Sequence, residues 1–213
     1  EIQPFLLKET VLLSLQNGVD NAERLRALLD QEVAAAVVYV ATEMAGEGHV
    51  KHHGRGELVI EPSSSSAEIA RMLTEAGIPT ELSGNVRGAL WAKLILNCAY
   101  NAMSAIAQLP YGELVQCGGV TDVMRDVVAE CLAVAKADDV VVPGDVDAAV
   151  RGIAETMPGQ YSSTAQDLAR NKGSEIDHLN GYVVRRGTAR AVPTPVNRVL
   201  HTLVKAIEHR QSV

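Results

Sequence analysis

Lys93, Asn97 and Asn101 recur every fourth residue inside LWAKLILNCAYNAMSAI, residues 90–106. At about 100° per residue that spacing drifts only about 80° over two turns, so on a helix the three share one face. Leu90, Leu94, Ile95 and Cys98 fall along the neighbouring apolar side. Asn is a poor interior helix former, and two on one stripe carry a local cost. One reading is a solvated polar face with an ordinary lysine. Against it, the flanking residues are apolar, unlike the Glu, Lys and Gln mixture of a solvated surface. The other reading is chemical. An ammonium held partly out of water gives up its proton more readily and can act as a general acid, while flanking amides hold a polar substrate.

A second candidate is YSSTAQDLARNKGSEID, residues 161–177, in which Ser162 and Ser163 precede Asp167, and Glu175 opens a helix. Each has a plainer role as well. Ser162 or Ser163 would cap a short helix near 164–170, and a carboxylate in a first turn complements the helix dipole. Asn17-Gly18 is the third. It serves either as a strand-to-helix turn needing a left-handed residue or, after a strand of an α/β sheet, as a ligand-binding loop. His52-His53 is not read as a metal pair, because adjacent strand residues point to opposite faces. GEGHVK, residues 46–51, departs from the dinucleotide fingerprint at its sixth position, Lys51.

These groups need elements to hold them. VLLSL (11–15) has the apolar run of a buried strand, and VDNAERLRALL after it carries Asp20 and Glu23 in capping-box spacing. AAAVVYVAT (34–42) reads as the next strand, and HVKHHGRGELVIE (49–61) as a pair of edge strands separated at Gly54 and Gly56. Ser65 with Glu68 opens the helix AEIARMLTEAG. From SGN (83–85) the pattern becomes wholly helical, which sets a domain boundary near residue 83. Helices are expected over 86–108, about 119–138 and around 146–156. Another starts at Ser174 with Asp177 at its third position, and a last one runs from Thr194-Pro195 to about 209. The 119–138 helix places Val127, Val128, Cys131 and Val134 along one side, with Arg125, Asp126 and Glu130 opposite.

The chain has 213 residues, 47% hydrophobic, 21% charged and only 3% aromatic, with a net charge of −7. That is a globular composition, and its field argues against nucleic acid or an anionic membrane as a partner. No apolar run reaches the length of a membrane span. Cys98, Cys117 and Cys131 show neither CxxC spacing nor an even count, as expected of reduced thiols in a cytoplasmic protein.

Taken together, SLQNGVDN, GNVRGALWAKLILNCAYNAMSAIAQLPYGEL, YSSTAQDLARNKGSEIDHLNGYVVRRG and VPTPVNRVLHTLVKAIE resemble the ketopantoate reductase (2-dehydropantoate 2-reductase) family, in its order and spacing. The resemblance implies a partial α/β Rossmann-type domain over 1–83. An all-α domain similar to the C-terminal part of 6-phosphogluconate dehydrogenase would follow over 84–213, for substrate binding and dimerisation. It implies NADPH as hydride donor to a small 2-oxo acid, with ketopantoate, giving pantoate on the route to pantothenate and coenzyme A, as the expected substrate. Lys93 matches the catalytic lysine, the general acid at the keto oxygen, and Glu175 the glutamate that binds the substrate hydroxyl, pairs with the lysine and borders the cofactor. Asn97, Asn101 and Ser163 match substrate-binding positions, and Asn17 an asparagine near the nicotinamide. No metal is implied, and the apolar helices suggest a homodimer.

Several positions depart from the family. Its glycine-rich first βα loop has no counterpart here, as in part of a longer protein. Tyr111 and Gln160 stand where some relatives carry asparagine, and Asp139 and Ala191 where relatives often have a helix-ending glycine. The rival to a reductase is a non-catalytic, dimerising helical module that keeps a small-anion pocket but binds no cofactor, or a remnant that has lost cofactor binding and the reaction with it.

Overall fold

The computed structural model describes residues 2–212 and, within the sheet, leaves the side chains of Ala41, Glu43, Met44 and His53 outside the description. The His52–His53 reading therefore turns on a side chain outside the described residues. Contacts divide the chain into two compact units, Glu1–Leu90 and Trp91–Val213.

In the first unit, apolar runs become strands. β1 (Val11–Ser14) pairs in parallel with β2 (Glu32–Gly46), matching Leu13 to Ala34, and α1 (Asn21–Arg26) is the crossover between them. Val33 to Val37 are all buried, as a strand covered on both faces requires. β2 then pairs antiparallel with β3 (His49–Ile60), and β3 in parallel with β4 (Thr80–Leu82), across α2 (Ser66–Glu75). The sheet order is β1-β2-β3-β4. Ala36, Leu58, Ile60 and Ala70 centre one core, with Leu13, Val38, Ile69 and Ile78 packed around it.

Three local expectations for this unit are corrected. The glycines at 54 and 56 do not separate two strands. They lie inside one continuous strand at φ +142° and +147°, where the ladder shifts register near Tyr39/Val40. Bulged backbone of this kind is where glycine costs least. Asp20 precedes α1 without a side-chain capping bond. Ser65 likewise does not cap α2 through its side chain, whereas Ser66 Oγ donates to the Glu61 carbonyl (2.6 Å).

The second unit is helical: α3 (Val86–Ala107, whose first residues belong to the first unit), α4 (Tyr111–Leu114), α5 (Val120–Ala137), α6 (Val146–Thr156), α7 (Ser163–Ala169), α8 (Asn180–Ala189) and α9 (Pro195–Ser212). Asp145 caps α6, accepting from Ala148 N (2.9 Å). The helix expected from Ser174 is interrupted. A 3-10 turn, Ile176–His178, comes first, and Leu179 at φ −107°, ψ −108° separates it from α8. Ile176 and Leu179, on either side of the turn's polar residues, are both buried. Glu130 is not on a solvated face. Its carboxylate accepts from Val196 N (2.8 Å) and Asn197 N (2.9 Å), capping the start of α9.

Four helices end the same way. Gln108, Asp139, Asn171 and Ala191, after α3, α5, α7 and α8, have φ between +52° and +56°. The next amide in each case bonds back five residues, as Val140 N does to Ala135 O (2.9 Å) and Val192 N to Gly187 O (2.8 Å). This is the Schellman arrangement, which favours glycine at the left-handed position. The two positions where relatives often carry a helix-ending glycine, Asp139 and Ala191, are both left-handed. No described helix is long and apolar enough to cross a membrane.

Candidate active site

α3 is the buried centre of the second unit. Trp91, Leu94, Ile95, Cys98, Ala99, Tyr100 and Ala102 have almost no exposure, so the apolar sides of this helix are core. Between Gly88 and Ala105, partial exposure is confined to Ala92, Lys93, Leu96 and Asn97. Those four lie one turn apart on one narrow side. Lys93 and Asn97 are therefore the polar groups in the opening of an otherwise enclosed helix, and Asn101, 3% exposed, continues their stripe inward.

α7 meets this inner end. Asn101 Nδ2 donates to Ser163 Oγ (3.3 Å), joining two of the predicted residues across 62 positions of sequence. The neighbouring serine takes the structural role. Ser162 Oγ accepts from Ala165 N (3.0 Å) as the α7 cap and donates to the Asn101 carbonyl (3.2 Å), while Ser162 N donates to Ser104 Oγ (3.3 Å). Ser162 is buried and Ser163 exposed. The two plain alternatives thus divide between two adjacent hydroxyls: one caps the helix, and the other stands beside Asn101.

Glu175 is half-buried and leads into the 3-10 turn. Its charge reaches Asp167 on α7, whose carboxyl is pushed up first by burial and then by Glu175, against the opposing pull of Lys172 and Arg170. The same turn is tied to α9. Asp177 accepts from His201 Nε2 (2.7 Å) when that nitrogen carries the proton, and from Lys205 Nζ (3.0 Å). Glu208 accepts from both Ser174 N (2.8 Å) and Ser174 Oγ (2.7 Å). Gly181 leaves room for this contact, because a Cβ there would lie 2.8 Å from His201 Nε2.

A second buried junction braces the far side of α3. Asn180 Nδ2 donates to the Cys98 carbonyl (3.2 Å) and to Asn197 Oδ1 (3.0 Å), and Asn197 Nδ2 donates to Glu130 Oε2 (2.7 Å). Sequence reasoning passed over Asn180, Asn197, His201, Lys205 and Glu208. His201, Lys205 and Glu208 did carry a signal, the i, i+4, i+7 spacing of one helix face. Tyr111 and Gln160 are neighbours through a backbone bond from Tyr111 N to Gln160 O (3.0 Å). The Tyr111 ring meets Tyr100 edge-on at 4.7 Å, and burial pushes its phenol up.

In the first unit, Asn17 sits in the loop after β1. Gly18 supplies the left-handed residue at φ +103°, and Asn21 Nδ2 donates to the Asn17 carbonyl (2.8 Å). Ser14, Gln16, Gly18, Ala35 and Leu90 line a small depression beside it, with Ser14 Oγ donating to Gln16 Oε1 (2.8 Å). His52 Nε2 bonds the Arg55 carbonyl (2.7 Å), and no metal-ligating cluster exists among the described residues.

Comparison with known proteins identifies the family. The sequence profile described as ketopantoate reductase PanE/ApbA matches residues 1–65, and that of its C-terminal region matches residues 85–208. A 2-dehydropantoate 2-reductase of Archaeoglobus fulgidus is 33% identical over 205 residues, 93% of this chain and 68% of the relative. One from Vibrio cholerae is 30% identical over 217 residues, 98% of this chain and 72% of the relative. The crystal structure of a PanE/ApbA family ketopantoate reductase from Ralstonia eutropha JMP134 superposes with a TM-score of 0.96 at 67% identity, covering all of this chain and 71% of that one. An α/β Rossmann-type region followed by a helical domain is the fold common to them. With both units matched in order, the chain belongs to the ketopantoate reductase family.

Proposed function

We propose that this protein reduces a small 2-oxo acid with NADPH, and that the acid is ketopantoate, giving pantoate for pantothenate and coenzyme A synthesis. The observation that carries this reading is the narrow opening of α3, in which Lys93 and Asn97 are the polar groups of a stretch otherwise buried between Gly88 and Ala105, Ala92 and Leu96 beside them apart. A ketone that gains hydride develops negative charge on its oxygen. An ammonium beside that oxygen stabilises the charge and then supplies the proton, and Lys93 is assigned this role. Asn97, Asn101 and Ser163 hold the polar groups of the substrate. Glu175 binds its hydroxyl and, through its charge, supports the lysine as a cation.

NADPH, when bound, supplies the hydride. The first unit suits one end of such a cofactor, because small side chains and the polar Ser14 and Gln16 line a depression at the carboxyl end of β1, where α/β sheets bind ligands. Asn17 would hold the nicotinamide end there. In this reading residues 1–83 serve the cofactor, and residues 84–213 serve the substrate and a homodimer contact.

The test is NADPH oxidation by the full-length protein against a panel of 2-oxo acids, with Lys93→Ala alongside. Ketopantoate should give the highest kcat/KM, and the variant should lose about 10² or more in kcat, the usual loss for a positioned acid. A near-normal rate in Lys93→Ala removes this residue from the chemistry. No turnover across the panel favours the non-catalytic module.

A further inference from the structure

The turn that carries Glu175 is short and irregular, so its position must come from outside itself. Its own backbone gives it little: His178 N to Glu175 O (2.8 Å) and Leu179 N to Ile176 O (3.2 Å). Burial of Ile176 and Leu179 anchors its apolar side. The polar side is held by α9. His201, Lys205 and Glu208, at i, i+4 and i+7, form one stripe on that helix. Glu208 takes the residue before Glu175, accepting from Ser174 N and Oγ. Asp177, two residues after Glu175, is taken by His201 and Lys205. Lys205 Nζ lies 3.0 Å from Asp177 Oδ2 and 2.7 Å from Glu208 Oε2, so one ammonium joins both attachments.

We infer that Lys205 is a positioning residue for Glu175: by bridging Asp177 and Glu208 it closes a clamp across the two flanks of that carboxylate and fixes where it points. The inference rests on the reading of Glu175 as a substrate-binding group. The charge states suit the role. Hydrogen bonds to Glu208 and then Asp177 hold the Lys205 ammonium above the usual lysine range. For both carboxylates burial raises the pKa, but the bonds from α9 and Ser174 more than offset it, leaving them below their usual range. All three are therefore charged at neutral pH. Pairs of this exposure contribute little to global stability, so the clamp acts on local geometry.

The clamp is tested in the full-length protein by replacing its bridge. Lys205→Met should speed hydrogen exchange at the Ser174 amide and leave α3 amides unchanged. It should also lower kcat/KM for ketopantoate about tenfold, with unchanged NADPH affinity. Lys205→Arg, which can still reach both carboxylates, should recover most of the loss. In a Glu175→Gln background, Lys205→Met should cost almost nothing further, because the group it positions is already disabled. Glu208→Ala provides a second route to the same exchange and kinetic changes. Unchanged exchange at Ser174 in Lys205→Met overturns the clamp, whatever Glu208→Ala does. So does a tenfold loss that persists undiminished in the Glu175→Gln background. Wild-type kinetics in Glu175→Gln alone would instead refute the assignment of Glu175, while the exchange result still decides whether the clamp exists.

Discussion

Asn197 offers the sharpest test of how the α3 stripe is held. Its side chain is fully buried, and it is the middle link between Glu130 on α5 and Asn180 on α8. Asn197→Ala removes the bond from Nδ2 to the Glu130 carboxylate (2.7 Å), and a bond to a charged partner is worth about 1.5–3 kcal/mol. It also removes the neutral bond from Asn180 Nδ2 (3.0 Å), worth about 1 kcal/mol. Glu130 would keep two backbone donors, and Asn180 would keep the Cys98 carbonyl, so neither group is stranded completely. The sum is a loss of about 3 kcal/mol. The assay is urea unfolding followed by tryptophan fluorescence. The chain's single Trp is Trp91, fully buried in the second unit and packed edge-on against Tyr182 at 5.9 Å. At an ordinary urea m-value the midpoint should fall by about 1–3 M with the slope preserved. Asn197→Asp, similar in shape, would press a second carboxylate against Glu130 and should do worse at neutral pH, recovering as the pH falls and one of the pair takes up a proton. A loss below about 1 kcal/mol for Asn197→Ala would refute this account of the junction.

Three further outcomes follow from the same geometry. Ser162→Ala should cost about 1 kcal/mol in the fluorescence assay through loss of the α7 cap, whereas Ser163→Ala should leave stability alone and raise KM for the 2-oxo acid. Equal stability losses in the two would contradict the division of roles. Ala191→Gly should stabilise by about 0.5–1 kcal/mol, because a left-handed alanine is strained and glycine is not; a lower urea midpoint would contradict it. Asp138, fully buried, accepts from Arg186 Nε (2.5 Å) and Arg190 Nε (2.6 Å). Burial raises its pKa, but the two guanidiniums outweigh burial and hold it below the usual range. A depressed carboxylate stabilises the fold fully above its unfolded pKa of about 4 and loses that contribution as pH falls through the folded value. Asp138→Asn should therefore cost about 2 kcal/mol at neutral pH and make stability below about pH 4 less dependent on acid; an unchanged acid limb would contradict it.

How far the sequence reveals these features depends on the range of the interaction that decides each one. The α3 stripe was legible because its evidence is local: a helical period, an apolar surround and two asparagines out of place. The division between Ser162 and Ser163 was not, since either hydroxyl could cap α7; the approach of Asn101 from 62 residues away separates them. Glu130 illustrates the same limit. The sequence reading set it opposite the valines of α5, but at about 100° per residue it lies only about 40° from Val134 and about 60° from Val127; that flank is where α9 begins, and the unpaired amides of its first turn make Glu130 a cap. Local signals can also be real and still lose. Asp20 and Ser65 have capping spacing without making the side-chain cap, and Ser174 with Asp177 resembles a helix start. There the carboxylate of Asp177 is drawn to His201 and Lys205 and the hydroxyl and amide of Ser174 to Glu208, so the chain forms a turn first and a helix only after Leu179. The residues proposed to act on substrate thus sit on two kinds of support. Lys93, Asn97 and Asn101 ride on a helix whose own period announces them. Glu175 rides on a turn whose placement is set by a helix about thirty residues downstream, where a single-sequence pattern has least to say.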